Sequence, residues 1–322
     1  MTATLSIGIP SYRRADDVAR QVAGMVDALP DLPVTVIDDG PDEAVAQALA
    51  PFKGRIALHR HATNLGYAVT FAELLDGCDT THIVLSADDD LCDPEGVHAL
   101  EQMVQDDTPD FASTWFVDAS GTRTRGRDRR AALSLTDLRD ASGHAPGLVY
   151  SAKAARAALP FLRARLDAGC YAARTYPQVL VVAYIALSGG RCVWLPVAPV
   201  REGRAHPPAL QGPNGHGYDS PAARLTEAEA FEAAFAAMAD FLPAAAHDRL
   251  DALRLIHRQD TYRRFMRALR KHHPELVADW LTGSLGYLRA SWARHMRDLW
   301  SSKRARARAE SILRESGHDT RR

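Results

Sequence analysis

The fold is decided by the segment LSIGIPSYRR, residues 5–14, together with the helix-forming residues after it. Residues 5–9 are an apolar run that ends at Pro10, a pattern typical of a buried strand. Residues 15–29 then place apolar side chains at helical spacing, with two acids in the first turn, where the helix dipole favours them. This segment therefore predicts a buried strand, a short polar junction and an amphipathic helix.

The same alternation of strand and helix continues over the first hundred residues. Further strands are predicted at residues 33–37, 55–59 and 81–86, and further helices at 42–50, 67–75 and 93–105. This alternation is typical of an α/β protein with a mainly parallel, Rossmann-like sheet and helices on both faces. In such sheets ligands bind beyond the carboxyl ends of the strands. Polar clusters at those ends are therefore the candidate site.

Beyond residue 110 the predicted elements are less regular. They are a strand at 111–117, a polar Arg-rich loop at 122–139, helices at 147–165 and 178–187, and a last strand at 191–197. A Pro- and Gly-rich stretch at 199–221 is the best candidate for a domain boundary. We therefore predict an α/β catalytic domain at residues 1–205, a linker or active-site loop at 206–224, and a basic, all-helical region at 225–322.

Composition excludes several classes of protein. With 322 residues, 46% apolar and 25% charged, the chain can bury a substantial core and is unlike a disordered or collagen-like chain. Its cysteines form no CxxC pair, which argues against a zinc module or a disulfide scaffold and suits a reducing cytosol. The longest apolar stretch, residues 179–187, is too short to cross a bilayer, and no secretory signal is visible. We expect a soluble, cytoplasmic protein.

Charge is distributed unevenly along the chain. Residues 251–322 contain 17 Lys and Arg against 8 Asp and Glu, whereas residues 1–250 contain 22 against 32. Two segments, 250–270 and 285–300, set Leu and aromatic residues at helical spacing among arginines. Such stripes fit the surface of an anionic membrane and equally fit packing within the protein, so both interpretations stay open. Nucleic-acid binding is not expected, because no recognised binding motif or aromatic platform is present.

Acidic clusters follow two of the predicted strands. Asp88, Asp89 and Asp90 come after the fourth strand, and Asp38 and Asp39 after the second. Three adjacent carboxylates repel one another, and a bound cation relieves that repulsion. Oxygen ligands with spare coordination positions suit Mg²⁺ or Mn²⁺ held jointly with substrate phosphates. The three acids therefore predict a divalent-cation site, whereas the second-strand pair by itself fits a simple turn.

Four segments, in order and spacing, resemble the inverting family 2 glycosyltransferases, which have the GT-A nucleotide-sugar-binding fold. They are IGIPSYRR (residues 7–14), VIDDG (36–40), NLGYA (64–68) and LSADDDL (85–91). The ordered set is far more specific than any one member. A fainter resemblance, through the Ser-containing acidic segment and the helix at Tyr176-Pro177, is to the abequosyltransferase-like branch that builds surface polysaccharides.

The resemblance implies roles in donor binding. Tyr12 would stack on the nucleobase, and Asp39, with Asp38 nearby, would accept a hydrogen bond from the ring N–H of the base. Asp88 would reach the ribose or the metal. The full set implied for nucleotide-sugar binding is Pro10, Tyr12, Arg13, Asp38, Asp39, Asn64, Gly66 and Asp88.

The resemblance also implies a cofactor and partners. Asp88, Asp89 and Asp90 would hold Mn²⁺ or Mg²⁺ against the diphosphate, and His206 could complete the shell. A bound cation would offset charge that develops on the leaving nucleoside diphosphate, while a general base helps an acceptor hydroxyl to attack. The implied partners are a nucleotide-diphosphate sugar donor and a glycan or lipid-linked glycan acceptor at the inner face of the cytoplasmic membrane.

Two departures from the family pattern affect the site. The family has an acid where this chain has Ser86, so Asp88 and Asp90 would serve as its DxD pair. The family's catalytic carboxylate precedes an apolar helix, and the matching position near Pro177 and Gln178 has no carboxylate. The candidate bases that remain are Asp118, Asp167 and Asp219.

Two other functions stay open. A sugar-phosphate nucleotidyltransferase on a related fold would need a Gly-rich, Arg-containing loop after the first strand, and residues 10–13 contain no glycine. A non-catalytic nucleotide-sugar or glycan-binding scaffold would account for the missing base. Donor hydrolysis separates the enzymes from the scaffold.

Overall fold

The computed structural model describes residues 3–203, 220–272 and 274. The chain forms two compact units. The first comprises Met1–Leu133 and Asp137–Ala205, and the second comprises Ser134–Thr136 and His206–Arg322. The first unit contains every strand among the described residues and both of its sheets.

The strands are short and lie in two sheets. They are β1 (Leu5–Ser11), β2 (Val34–Asp38), β3 (Ala57–Arg60), β4 (His82–Leu85), β5 (Leu91–Cys92), β6 (Phe111–Ser113), β7 (Phe116–Val117), β8 (Arg123–Arg125), β9 (Ala131–Ala132), β10 (Leu148–Ser151), β11 (Cys192–Trp194) and β12 (Val200–Arg201). The large sheet has the order β3-β2-β1-β4-β10-β6-β11-β9, and the small one β5-β12-β7-β8.

Helices connect most of these strands. They are α1 (Ala15–Ala28), α2 (Ala44–Leu49), α3 (Tyr67–Asp76), α4 (Pro94–Asp107), α5 (Leu138–Ser142), α6 (Ala152–Asp167), α7 (Tyr171–Thr175), α8 (Pro177–Leu187), α9 (Pro221–Met238) and α10 (His247–His272). The last two belong to the second unit. None of the described helices combines the length and apolarity needed to cross a bilayer.

β1 lies at the centre of the parallel part of the large sheet. It pairs in parallel with β2 on one side and with β4 on the other, and Leu5, Ile7 and Ile9 are fully buried. Ser6 and Gly8, which alternate with these residues along the strand, are buried as well, so both faces of β1 are covered. A Cβ at Gly8 would come within 2.7 Å of the Ile83 side chain, so a larger residue there would force that side chain to shift.

The sheet is more mixed than predicted. β10 runs antiparallel to both of its neighbours, β4 and β6. The sequence places a helix at 147–165, but its first residues form β10, and α6 begins only after Ser151, whose hydroxyl accepts the N–H of Ala154 at 3.1 Å. An N-cap of this kind starts a helix locally, and the preceding residues are free to pair with the sheet.

Two further predictions beyond residue 110 were wrong in detail. The strand expected at 111–117 divides between the two sheets as β6 and β7. The loop expected at 122–139 contains β8, β9 and α5. Short strands with polar sequences are stabilised by their partners rather than by propensity, so the local pattern did not indicate them.

The described residues 220–272 of the second unit are helical, as the sequence predicts. Phe231 and Phe235 of α9 pack against the ring of His257 on α10, with centroids 4.4 and 5.2 Å away. On α10, Leu250, Leu253, Phe265, Met266 and Leu269 are buried. The stripe at 250–270 is therefore internal packing rather than a membrane-facing surface. The stripe at 285–300 lies outside the described residues.

Glu232 of α9 joins α9 to α10 by binding two arginines of α10. It accepts hydrogen bonds from Arg254 (Nε, 3.0 Å) and Arg258 (Nη2, 2.7 Å). Burial opposes its charge, but the two guanidinium groups outweigh this and lower the pKa of Glu232. A carboxyl group whose pKa is lowered by folding stabilises the fold at pH values above its unfolded pKa, and this effect is lost as pH falls through its folded pKa. Glu232 therefore contributes its full stabilisation at neutral pH.

We expect Glu232→Gln to lower the free energy of unfolding by about 1–2 kcal/mol at pH 7, the loss typical of a half-buried ion pair. The difference from the wild type should shrink as pH falls below the ordinary glutamate value and vanish below the lowered folded value, where the wild-type carboxyl is protonated. Thermal unfolding of both proteins across pH measures this, with the exposed Glu229→Gln as the matched control. An equal loss at low and neutral pH would contradict the electrostatic assignment.

Candidate active site

The predicted clusters meet at one edge of the large sheet. Ser11 of β1 is in register with Asp38 of β2, and the N–H of Asp39 donates to the Ser11 carbonyl at 2.9 Å. On the other side of β1, the N–H of Ser86 donates to the Gly8 carbonyl at 3.0 Å. The carboxyl ends of β1, β2 and β4 therefore lie side by side, as the parallel topology requires.

Asp88 is fixed from the end of β1. One oxygen accepts the backbone N–H of Tyr12 at 3.0 Å, and the other accepts Nη1 of Arg14 at 2.9 Å. The same nitrogen of Arg14 lies 2.6 Å from Oδ2 of Asp89. Burial raises the pKa of Asp88 in spite of these donors. One guanidinium thus neutralises two of the three adjacent carboxylates.

Asp90 is the third acid, and its surroundings disfavour its charged form. Its side chain is buried, and burial, together with the charge of Asp89, raises its pKa to about 7. Glu202, just after β12, adds further negative charge. The backbone N–H of Ala87 donates to Asp90 at 3.3 Å. This concentration of acid is stabilised by any cation that reaches it.

The cluster differs from a preformed metal cage. Among residues 3–203, 220–272 and 274, no three His, Cys, Asp or Glu side chains are arranged to hold an ion by themselves. Ser86, at the position where the family has an acid, is buried and accepts Nε2 of Gln21 on α1 at 2.5 Å. Mg²⁺ and Mn²⁺ commonly use one or two carboxylates together with substrate phosphates. The oxygen donors of Asp88, Asp89 and Asp90 fit a cation held in that shared way.

Asp39 is held by the loop that follows β3. Its carboxylate accepts the backbone N–H groups of Leu65 (2.7 Å) and Gly66 (2.8 Å) and lies 2.7 Å from Nδ1 of His61. Gly66 has φ 89° and precedes α3, a conformation that favours glycine. A carboxylate has about four acceptor positions, so Asp39 keeps one for a ligand.

Asp38, in contrast, is a structural acceptor. Its side chain is fully buried, with one oxygen bonded to the N–H of Gly40 at 2.9 Å and the other to Nε of Arg60 at 3.2 Å. This is the turn that the pattern Asp-Asp-Gly suggests by itself. The two acids of this pair differ in exposure: the side chain of Asp38 is 0% exposed and that of Asp39 is 6% exposed, so Asp39 is the one of the two with surface that a ligand can touch.

Tyr12 and Leu65 are exposed at the rim of this edge. Their exposed fractions are 40% and 49%, the highest among the large apolar side chains of the described residues. The guanidinium of Arg13 lies 5.2 Å from the centroid of the Tyr12 ring, and Arg13 has φ 59°. Pro10 is half-buried and Asn64 is exposed. An exposed ring next to buried carboxylates suits stacking with a planar ligand.

The candidate bases are less well placed. Oδ1 of Asp118 accepts the N–H groups of Ser120 and Thr122, both at 2.9 Å, and the Ser120 hydroxyl at 2.6 Å. These donors lower the pKa of Asp118, which makes it a weaker base. Asp167 is exposed at the end of α6. Gln178 is buried in the first turn of α8. Asp219 and the predicted metal ligand His206 lie outside the described residues.

Arg125 was not predicted as part of the site. Its guanidinium is buried and donates to the backbone carbonyls of Thr114 (3.1 Å), His144 (2.6 Å) and Pro146 (2.5 Å). Burial lowers its pKa to about 10, and Asp90 acts on it electrostatically. A buried arginine bound to carbonyls rather than to a carboxylate leaves its positive charge available to the acidic cluster.

Sequence reasoning also missed Arg14, His61, Glu73 and Glu202. Arg14 lies inside the first of the four family-like segments, and an arginine at a strand end next to one that carries three acids is a signal that could have been used. The other three are brought in by strand order and by the second sheet. Nothing in the local sequence marks them.

Comparisons with known proteins agree with this architecture. Residues 6–156 match the model of Glycosyl transferase family 2, whereas no curated protein gives a significant match. Among solved structures, the chain is similar to residues 1–349 of S. aureus TarS, at 12% identity and a TM-score of 0.60, over 97% of this chain and 85% of that one.

Two further structures of that protein are also similar. The same fragment in complex with UDP-GlcNAc gives 14% identity and a TM-score of 0.60, with 97% and 85% of the two chains covered. The longer S. aureus TarS structure gives 12% identity and a TM-score of 0.59, covering 98% of this chain and 53% of that one. Likeness at this level of identity demonstrates a shared fold.

Proposed function

We propose that this chain, whose residues 6–156 match the model of Glycosyl transferase family 2, transfers a sugar from a nucleotide-diphosphate donor to a glycan hydroxyl, with inversion and with help from a divalent cation. The observation that carries this proposal is the juxtaposition at one sheet edge of Asp39 and the acidic cluster. Asp39 could bind the nucleobase, and the acidic cluster could bind the diphosphate together with its cation.

In this proposal each strand end contacts one part of the donor. Tyr12 stacks on the nucleobase, and the remaining acceptor position of Asp39 takes the ring N–H of that base. Asp88, whose carboxylate accepts the N–H of Tyr12, would reach the ribose. Uracil, thymine and guanine offer a ring N–H at neutral pH, whereas cytosine and adenine offer an acceptor at the corresponding position. Asp39 therefore favours the first group.

The acidic cluster provides for the leaving group. Asp88, Asp89 and Asp90 would hold Mn²⁺ or Mg²⁺, which when bound offsets the negative charge that develops on the leaving diphosphate. Arg14 is near enough to contribute a second positive charge to the same region. An acceptor hydroxyl then attacks the anomeric carbon from the opposite side, and its proton passes to a base. Asp118, Asp167 and Asp219 stay as candidates for that base.

The acceptor is proposed to be a growing glycan of the kind found in surface polysaccharides, either free or lipid-linked. Support for a membrane-bound acceptor comes from the basic segment after α10, where 10 Lys and Arg stand against 6 Asp and Glu in residues 273–322. An excess of positive charge of this kind is attracted to anionic lipid. We accordingly propose a cytoplasmic protein that associates with the inner face of the membrane.

A scaffold that binds donors without turning them over is the second candidate. The observation in its favour is that Gln178, whose amide cannot act as a base, stands where the family pattern has its catalytic carboxylate. A nucleotidyltransferase has no comparable support, since residues 10–13 contain no glycine.

We expect UDP-, dTDP- or GDP-sugars, and not CDP- or ADP-sugars, to raise the melting temperature of the protein in the presence of Mn²⁺. A ligand at 100 times its dissociation constant stabilises by about 2.7 kcal/mol, which corresponds to several degrees. Thermal unfolding with a panel of these donors measures it. Stabilisation by none of them would refute the proposal, and binding without hydrolysis or transfer would favour the scaffold.

A further inference from the structure

The ring of His61 is held between two carboxylates. Its Nδ1 lies 2.7 Å from Oδ1 of Asp39 at the end of β2, and its Nε2 lies 2.6 Å from Oε2 of Glu73 on α3. The side chains of Asp39 and His61 are 6% and 10% exposed, and that of Glu73 is 42% exposed. We call these three residues the His61 clamp.

The geometry specifies the charge of the ring. A neutral imidazole has one N–H donor and one acceptor, whereas an imidazolium has two donors. A carboxylate oxygen at hydrogen-bond distance from each ring nitrogen requires a donor on both, which is the imidazolium. Burial opposes this charge, but Asp39 and Glu73 outweigh it and raise the pKa of His61. The neighbouring Arg60 bonds instead to Asp38 and Glu43.

We propose that His61 and Glu73 are positioning residues for donor binding: the protonated clamp fixes Asp39 toward the nucleobase, and loss of its proton weakens nucleotide binding. This inference rests on the proposed function, since it assigns Asp39 to the base. It adds two residues that do not touch the donor, and a dependence on pH that the binding of a base to a carboxylate would not have by itself.

The physical reason is the limited acceptor capacity of Asp39. His61, Leu65 and Gly66 together use three of its acceptor positions and leave one. When His61 loses a proton, one ring nitrogen becomes an acceptor and repels the carboxylate that faces it. If that nitrogen is Nδ1, Asp39 turns to find another donor. If it is Nε2, Glu73 turns away, and the ring loses the contact that orients it toward Asp39. In both cases the acceptor left for the ligand is no longer held in place.

The sign of the pH effect follows from linkage. A histidine whose pKa is raised by its partners stabilises the clamp below its unfolded value, and this contribution is lost as pH rises through the folded value. Nucleotide affinity of the wild type should therefore fall as pH rises above the ordinary histidine value of about 6.5 and through the raised value. Glu73→Gln removes one partner and should move this fall to lower pH.

The test measures UDP and GDP affinity by calorimetry with Mn²⁺ at pH 6 to 9, alongside the protonation of His61 by NMR of ¹⁵N-histidine-labelled protein. We expect Glu73→Gln to bind nucleotide about 3- to 10-fold more weakly at pH 7.5, the loss of one charge-assisted hydrogen bond acting indirectly. His61→Gln keeps an N–H donor for Asp39 and should bind with an affinity that is flat across this pH range. His59→Gln, an exposed histidine of β3, is the matched control.

The outcomes separate this inference from the proposed function. Nucleotide binding with an unchanged pH profile in Glu73→Gln and His61→Gln would overturn the role of the clamp and leave the proposed function intact. A His61 ring that titrates at its ordinary value would do the same. If wild type binds neither nucleotide at any pH, and no dTDP-sugar stabilises it in the thermal panel, the proposed function is wrong, and this role for His61 falls with it.

Discussion

Replacing Asp89 with Ala is expected to weaken Mn²⁺-dependent binding of a nucleotide sugar by about 100-fold or more. A cation shared between carboxylates and phosphates loses one of its few protein ligands, and truncating a partner of a desolvated charge pair costs about 2–5 kcal/mol. Calorimetry with and without Mn²⁺ measures the change. The Mn²⁺-independent part of the affinity should hardly differ, since Tyr12 and Asp39 are unaffected.

The matched control for that experiment is Asp106→Ala, which removes an exposed carboxylate from α4 on the surface of the same unit. It should leave the affinity unchanged with and without Mn²⁺. Unaltered Mn²⁺-dependent affinity in Asp89→Ala would show that the acidic cluster does not hold the cation, and the metal assignment would then be abandoned.

Replacing Arg14 with Met is expected to have the opposite effect on the metal. Its guanidinium neutralises Asp88 and Asp89, so it competes with a divalent cation for the same oxygens. Without it, we expect the affinity for Mn²⁺ alone to rise about 10-fold, a modest fraction of the attraction between unit charges at this distance. Electron paramagnetic resonance of free Mn²⁺ during titration measures this without a nucleotide.

Arg14→Met should also change how the stability of the protein depends on pH, because the repulsion among the three acids is then less compensated. Burial and Asp89 raise the pKa of Asp90 to about 7, so Asp90 is more protonated in the folded protein than in the unfolded chain between about pH 4 and 7. The contribution of Asp90 to stability therefore falls as pH rises through this window, and this fall should be steeper in Arg14→Met. Mn²⁺ should reverse it. Arg20→Met, which removes an exposed arginine of α1, is the control; equal Mn²⁺ affinity in both variants would contradict the competition.

The two variants together separate the roles of charge and ligation. Asp89→Ala removes an oxygen ligand, and Arg14→Met removes a competing cation. If the acidic cluster only requires a positive charge nearby and binds no divalent ion, both variants should change the stability of the protein without changing its affinity for Mn²⁺. A site that binds a divalent ion should show weaker Mn²⁺ binding in the first and tighter binding in the second.

Much of the first unit was predictable because its pattern is local. The apolar run of β1, the helical spacing of α1 and the acids after β4 are each visible within about ten residues, and parallel strands place their carboxyl ends together. β10 was missed because it is only four residues long and directly precedes α6, so its apolar residues fit the helical pattern as well. Its strand state comes from pairing with β4 and β6.

The stripe at 250–270 illustrates a limit of amphipathic patterns. Spacing identifies a helix with an apolar face but not the surface that covers that face. Burial of Phe265 and Leu269, and the bonds from Arg254 and Arg258 to Glu232, show that the protein itself provides the cover.

By itself the sequence determined the strand–helix order of residues 5–85, the family 2 resemblance and the three strand ends that form the candidate site, because each depends on neighbours in the chain. Only the tertiary structure decided which charges meet there. Arg14 with Asp88 and Asp89, and His61 with Asp39 and Glu73, are pairs set by strand order and by the path of the loop after β3. Electrostatic interactions depend on distance in space and on burial, and neither can be read from separation along the chain.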